Sequence, residues 1–239
     1  LPVLTILGER LGNSLRLLLF AWALSGILGF TLGVLAGAFR GRWPDRLIRG
    51  WCLLISSTPA FWLAFLLLLV FSVWLGWVPT GLSVPIGVDA DSVTFLERLH
   101  HAVLPALTLS ITGVSSIALH TREKMVDVME SDYVLFARAR GESLRSIVLR
   151  HGVRNVALPA ITLQFASVSE IIGGSVLVEQ VFSYPGLGQA AVTAGLGSDL
   201  PLLLGITVIT AAIVFGGNLI ADLLYGVGDP KIRRGAAKS

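Results

Sequence analysis

The sequence predicts an all-α integral membrane protein with five visible transmembrane helices, and three observations carry that reading. Of its 239 residues, 54% are hydrophobic and only 14% charged, with a mean hydropathy of +0.79. Soluble domains carry about 25% charged residues. Five apolar runs are each long enough to cross roughly 30 Å of hydrocarbon at about 1.5 Å per residue. The basic residues are confined almost entirely to alternate connections between those runs.

The first span covers about 11–39 and opens "LGNSLRLLLFAWALSGILGF". It carries Gly29, Gly33 and Gly37 at four-residue spacing, with Gly26 nearby. Small residues on one stripe admit a second helix at close range, and packing inside the subunit is preferred here over a contact between subunits. The second span covers about 51–76 and contains "FWLAFLLLLVFSVWLGW". Pro59 lies within it, removing a backbone donor and crowding the preceding turn, so a kink is predicted. That kink is a hinge or pathway wall in a transporter, or else a tolerated bend. The third span is about 102–121, the fourth about 156–180 and the fifth about 200–225. Gly173, Gly174, Gly216 and Gly217 make similar thin patches in the last two. A loop over about 122–155 separates the third and fourth spans, and residues 1–239 read as a single transmembrane domain.

Arginine and lysine set the orientation. The 40–50 connection, the 121–155 region and the tail (Lys231, Arg233, Arg234, Lys238) together hold 15 of the 18 basic residues. Arg98 alone lies in the other set of loops, and Arg10 and Arg16 lie at the start of the first span. The positive-inside rule makes the basic loops cytoplasmic, with the C-terminus inside. Trp43, Trp51, Trp74 and Trp77 mark the borders of the second span, as indoles favour the interface.

Other residues narrow the chemistry. Cys52 is the single cysteine, which excludes an internal disulfide and reads as packing. No GxxxxGK[ST] loop holds phosphates. His100 and His101 are adjacent, point about 100° apart on a helix, and make a poor chelating pair; no Cys/His cluster has metal-ligand spacing. Glu170 sits mid-span with Gln164 and Ser167 on a polar stripe, as a pathway-lining group or an internally bonded carboxyl. Asp222 and Asn218, at i and i+4, are expected to form a structural bond. Glu179 is expected to fix the turn-rich stretch "FSYPGLG" (182–188), itself a gate, a landing surface or a plain connection.

The polar stretch "SDYVLFARARGESLRSIVLRHGVRNVALP" (131–159) is unlike the rest. Ser131 and Asp132 are suited to open a short helix, Arg138 and Arg140 to close it, and Gly141 to stop it. Glu142 and Ser143 open a second unit, Arg150 and His151 close it, and Gly152 is expected to stop it. Leu144, Ile147, Val148 and His151 share one helical face. Helices of about nine residues are marginal alone, so the pair docks on this protein's own helix ends, on lipid or on a soluble protein. The interleaved acids Asp127, Glu130, Asp132 and Glu142 argue against lipid.

"DYVLFARARG" followed by "RHGVRNVALP" resembles the cytoplasmic EAA-type loop of bacterial ABC importer permeases, and more narrowly the dipeptide/oligopeptide/nickel family. The matching residues are Tyr133, Val134, Ala137, Arg138, Ala139, Arg140, Gly141, His151, Arg154, Asn155 and Pro159. "VLVEQVFSYPGLG", "NLIADLLYGVGDPKIR" and "NSLRLLLFAWALSGILGFTLGVLAG" resemble further family stretches in order, so the resemblance covers about 11–234. The family has six spans where five are visible, which reads as a processed or partial chain or a shorter variant. Leu135-Phe136-Ala137 replaces the strict Glu-Ala-Ala triplet.

The resemblance implies a type I transmembrane domain forming half of a translocation pathway in the bacterial inner membrane. It implies a second homologous permease, two ABC ATPase subunits and an extracytoplasmic substrate-binding protein as partners, with no nucleic acid. The chain itself would be non-catalytic and bind no cofactor, ATP and Mg belonging to the ATPase subunits. Tyr133, Val134, Ala137, Arg138, Ala139, Arg140, Gly141, Leu144, Ile147, His151 and Arg154 would couple to the ATPases. Glu170, Gln164, Ser167 and Pro59 are the candidates for the pathway. The cargo reads as di- or oligopeptides, with nickel or a metal chelate as the alternative. A secondary transporter or a membrane-embedded enzyme would need inverted repeats or a convergent catalytic set, and neither is visible.

Overall fold

The computed structural model describes residues 3–84 and 93–228; the basic tail residues Lys231, Arg233, Arg234 and Lys238 lie outside them. The described residues form helices and no strands: α1 (Val3–Ala38), α2 (Trp43–Ser56), α3 (Ala60–Leu67), α4 (Phe95–Met129), α5 (Asp132–Ala139), α6 (Leu144–Ile147), α7 (Arg154–Ala166), α8 (Val168–Val181), α9 (Leu187–Leu196) and α10 (Leu200–Gly228). Two π-helical segments, Leu68–Trp74 and Val148–Val153, extend α3 and join α6 to α7. By length and composition α1, α4 and α10 are each able to cross a membrane alone. Two bent pairs, Trp43–Ser56 with Ala60–Trp74 and Leu144–Ala166 with Val168–Val181, raise the number to five.

The second expected span is thus broken rather than kinked. Pro59 takes an extended conformation (φ −61°, ψ 134°) and stands just ahead of α3 as its cap. A proline still inside the ladder would bend the helix, whereas one with extended ψ has left it. The Ser57 hydroxyl binds the Leu53 carbonyl at 2.9 Å and closes α2. The fourth expected span also breaks, at Ser167, whose hydroxyl donates to the Gln164 carbonyl at 2.8 Å. Such back-bonding to a preceding turn bends helices.

The chain divides into two compact units. The first comprises residues 1–23, 58–111 and 169–215. Its core joins Leu17, Ala64, Ala106, Leu109, Val178 and Phe182. The alanines let bulky Phe182 be fully enclosed. A second cluster joins Leu7, Leu187, Ala190, Leu202 and Ile206. His101 and His100 reach back to the carbonyls of Gly81 (2.9 Å) and Trp77 (3.2 Å), so each ring clasps backbone.

The second unit comprises residues 24–57, 112–168 and 216–239. Here the glycine stripe of α1 lies directly on α4, as intrasubunit packing. A Cβ on Gly29 would stand 2.8 Å from Ile117 Cβ, one on Gly33 2.6 Å from the Ala118 carbonyl, and one on Gly37 2.5 Å from Met125 Cβ. Gly217 packs equally closely on Val168, but Gly216 and Gly173 face open space. Asp222 and Asn218 are both exposed and form no bond with each other, contrary to expectation.

Gly33→Ala tests the stripe, because the new methyl meets backbone that cannot move aside. The expected loss is about 1–3 kcal/mol, read as a lower thermal midpoint of the purified subunit in detergent. Gly216→Ala should leave that midpoint unchanged or raise it slightly.

Candidate functional site

The stretch 131–155 folds within the second unit as an internally braced lever. α5 carries Asp132 in its first turn and Arg138 in its last, matching the partial charges at helix ends. Ser131 precedes it with extended backbone, but its hydroxyl donates to the Val128 carbonyl instead of capping α5. Gly141 follows at φ +82°, a left-handed turn that a side chain would strain. Ser143 then caps α6, accepting from the Ser146 amide at 3.3 Å.

Gly152 does not stop the second helix. The chain runs on without a break through the π-helical segment into α7. Gly152 is glycine for a packing reason: a Cβ there would stand 2.4 Å from Met125 Cε. Arg150 and His151 accordingly lie inside a helix and not at its end.

The coupling candidates separate into two sets. Val134, Ala137 and Ile147 turn inward and pack with Val34, Met125, Met129 and Val156. Arg138, Ala139, Arg140 and Arg154 face outward, as do Tyr133 and Leu144 in part. The sequence reading missed the most exposed apolar residues, Leu135 (65%) and Phe136 (69%), on the same helix as the anchors. Helical spacing holds the signal: with Val134 and Ala137 inward, 135 and 136 must face out.

Tyr133, His151 and Asn155, distant in sequence, are brought together. The Tyr133 and His151 rings lie 6.0 Å apart. Asn155 donates to the His151 carbonyl at 2.6 Å and reaches the Tyr133 hydroxyl at 3.5 Å. Glu142 approaches His151 Nε2 at 3.5 Å and accepts from Arg140 at 2.9 Å. The Arg140 guanidinium holds the Glu142 carboxyl below the usual glutamate range, despite some desolvation.

A second pairing braces this unit from α2. The carboxylate of Asp45 is buried and accepts two bonds from Arg122 of α4, at 2.5 and 2.9 Å, and one from the Gly41 amide at 2.7 Å. Arg40 pairs with Glu130 at the surface. A lone acid in "RGRWPDRLIRG" was the available signal.

In the first unit, fully buried Glu179 organises the turn 182–188. Its carboxylate accepts from the Ser14 hydroxyl at 2.7 Å and the Gln189 amide at 3.0 Å. The Ser14 oxygen accepts in turn from the Leu187 amide at 2.7 Å. Asn13 donates to the Pro185 carbonyl at 3.0 Å, and the Tyr184 hydroxyl reaches the Asn13 carbonyl at 3.4 Å. A Cβ on Gly186 would fall 2.3 Å from the Glu179 carboxyl carbon, so only glycine lets the turn close.

The pathway candidates do not form one stripe. Gln164 is buried in the second unit, 3.3 Å from the Ser25 hydroxyl and against Gly26, beside a cavity of about 250 Å³. Ser167 is buried beside it. Glu170, past the break at Ser167, belongs to the first unit and is exposed. Pro59 is exposed at the start of α3.

With this arrangement in view, the family of binding-protein-dependent transport system inner membrane components matches residues 29–234. The chain belongs to this family. The permease is 38% identical to the oligopeptide transport system permease protein AppB of Bacillus subtilis, over 97% of this chain and 72% of that protein. It is 37% identical, over the same shares, to the glutathione transport system permease protein GsiC of Escherichia coli K12. A chain of the inward-facing MetNI methionine ABC transporter superposes with a TM-score of 0.69, at 15% identity, covering 93% of this chain and 98% of that one. That likeness establishes the type I importer transmembrane fold.

Two substitutions test the permease's buried pairs. Asp45→Ala leaves the partly buried Arg122 guanidinium and the Gly41 amide without their acceptor and should cost about 1–3 kcal/mol, seen as a lower thermal midpoint. Ser14→Ala takes a donor from Glu179 and an acceptor from Leu187. It should cost about 1–3 kcal/mol and speed hydrogen exchange at the amides of 186–189.

Proposed function

We propose that this permease forms half of the translocation pathway of an ATP-driven importer of short peptides. One observation supports this most strongly. On α5, Val134 and Ala137 are anchored in the core while Leu135 and Phe136 stand exposed beside them. A surface helix gains nothing by displaying Leu-Phe to water, since burying each side chain is worth about 2 kcal/mol. A helix rigidly seated on one face and apolar on the other is built to enter a protein cleft.

In this reading α5 and α6 enter a cleft on an ABC ATPase. Closure of two such ATPases around ATP and Mg pushes on the lever, and Met125 and Gly152 pass the movement into α4 and α7. The chain binds no nucleotide and catalyses nothing. A second homologous permease completes the pathway, and an extracytoplasmic binding protein delivers the cargo. The basic connections, the lever among them, face the cytoplasm of a bacterial cell, as does the C-terminus. The peptide cargo rests on the printed names of the relatives. Glu170 is exposed and forms no hydrogen bond or ion pair among the described residues, which supports it as a pathway group.

Phe136→Asp tests the lever, because it leaves the inward anchors untouched. In the reconstituted importer, peptide uptake should fall at least tenfold while the purified subunit keeps its thermal midpoint. Unchanged uptake, together with unchanged ATPase co-purification, would remove the proposal.

A further inference from the structure

Around its axis α2 presents three sectors. Asp45, Cys52 and Ile55 face inward and are buried. Asp45 pairs with Arg122 of α4, and the Cys52 thiol lies beside Ser115 of the same helix. These contacts run in opposite order along the two helices, so α2 lies lengthwise against α4, which is long and apolar enough to cross a membrane. Trp43, Leu47, Trp51 and Leu54 fall within about 80° of one another on a helix, and all four are exposed. Arg46, Arg49 and Leu53 make the adjoining sector, continued by Arg42 just ahead of the helix, and these are exposed too.

Arg42, Arg46 and Arg49 form no ion pair among the described residues. The only acid of α2, Asp45, is turned inward and occupied by Arg122 and the Gly41 amide. The acids of neighbouring elements are mostly engaged: Glu130 with Arg40, Glu142 with Arg140 and Asp127 with Lys124. Glu123 is left, in the groove where Arg49 meets α4. The exposed flank of α2 is therefore basic without interleaved acids, unlike α5 and α6.

Charge is also graded along the axis. The arginines lie between 42 and 49, and the stretch that follows, "GWCLLI" (50–55), has no charge. Long arginine side chains lay their stems on apolar surface and keep the guanidinium at the polar border, and indoles favour the same border. An anionic surface attracts such cations within about a Debye length, whereas a zwitterionic one does not. A phospholipid standing beside α2 has the same order, a charged head at one end and apolar chains beyond it.

We infer that this flank of α2 binds anionic phospholipid, with Arg42, Arg46 and Arg49 on the headgroup phosphates and Trp51, Leu53 and Leu54 against the upper acyl chains. The inference rests on neither the cargo nor the partner subunits. It makes the seating of α2, and through Asp45 and Arg122 that of α4, sensitive to the charge of the surrounding lipid.

The test reads tryptophan fluorescence. The permease, purified with the subunits that accompany it, is placed in vesicles of equal parts phosphatidylglycerol and phosphatidylcholine, with bromine on the chains of one lipid or the other. Subtracting the signal of Trp43→Phe/Trp51→Phe isolates the two indoles of α2. Brominated phosphatidylglycerol should quench them at least twofold more than brominated phosphatidylcholine. Arg42→Gln/Arg46→Gln/Arg49→Gln should make the two lipids equal, and the corresponding triple lysine variant should keep at least half of the preference. If the triple glutamine variant loses the wild-type thermal midpoint, Arg42→Gln/Arg46→Gln reads the same effect without disturbing the surroundings of Asp45. Equal quenching by the two lipids in the wild type would mean ordinary surrounding lipid only, and overturns the inference. So does a preference that survives in the glutamine variants. Quenching by neither lipid would mean that a protein surface covers the flank, and overturns it as well.

Discussion

The second unit is organised by one close-packed side chain, Met125. It is fully buried, with its Cβ over Gly37 of α1 and its Cε over Gly152 of the π-helical segment. The same side chain belongs to the cluster that seats Val134 and Ile147. An unbranched thioether fills such an irregular gap better than a branched residue. The two glycines make the gap, and the methionine fills it. The short helices are therefore seated against α1 and α4 by a cluster in which Met125 joins Val34 and Met129 to Val134, Ala137 and Ile147.

Polar brackets hold the surrounding elements. In the second unit the Asp45–Arg122 pair ties α2 to α4, and its buried carboxylate is fully supplied with donors. In the first unit Glu179 gathers α1, the 182–188 turn and the start of α9. Both are acids enclosed by donors from different elements. That arrangement makes the geometry specific, because any displacement strands a charge or an amide. A permease whose apolar faces are solvated by lipid gains little specificity from hydrophobic contact alone, so such brackets carry more of the positioning.

Much of this was legible in the sequence. Apolar run length pointed to the three helices able to cross a membrane alone and to the two bent pairs, because helix length and bilayer thickness are tied. The Gly29–Gly33–Gly37 stripe was correctly read as internal packing, and Gly141 as a left-handed stop. Glu179 was expected to fix the following turn, and does. The failures share a cause: they concern what a residue meets across space. Gly152 looked like Gly141, yet it is glycine because of Met125, 27 positions earlier. Pro59 was read as a bend because propensity does not say whether the residue leaves the helix. Asp45 and Arg122 are 77 residues apart, and their pairing has no local signature. Asn218 and Asp222 had the right spacing for a bond that the structure does not make. Leu135 and Phe136 were passed over because they are not residues of the motif, of which Val134 and Ala137 turn out to be the inward anchors.

The π-helical segment Val148–Val153 has a consequence of another kind. A wide turn of this sort holds one residue more than the α-helical path needs. Excising a single residue there would let the helix close up as regular α while the side chains beyond it keep their directions, because the wide turn absorbs the surplus locally. Removing a residue from the regular part of α7, between Val156 and Gln164, would instead swing every later side chain by about 100° around the axis and take Gln164 away from Ser25. The wide turn thus tolerates a change of length that the regular helix after it does not.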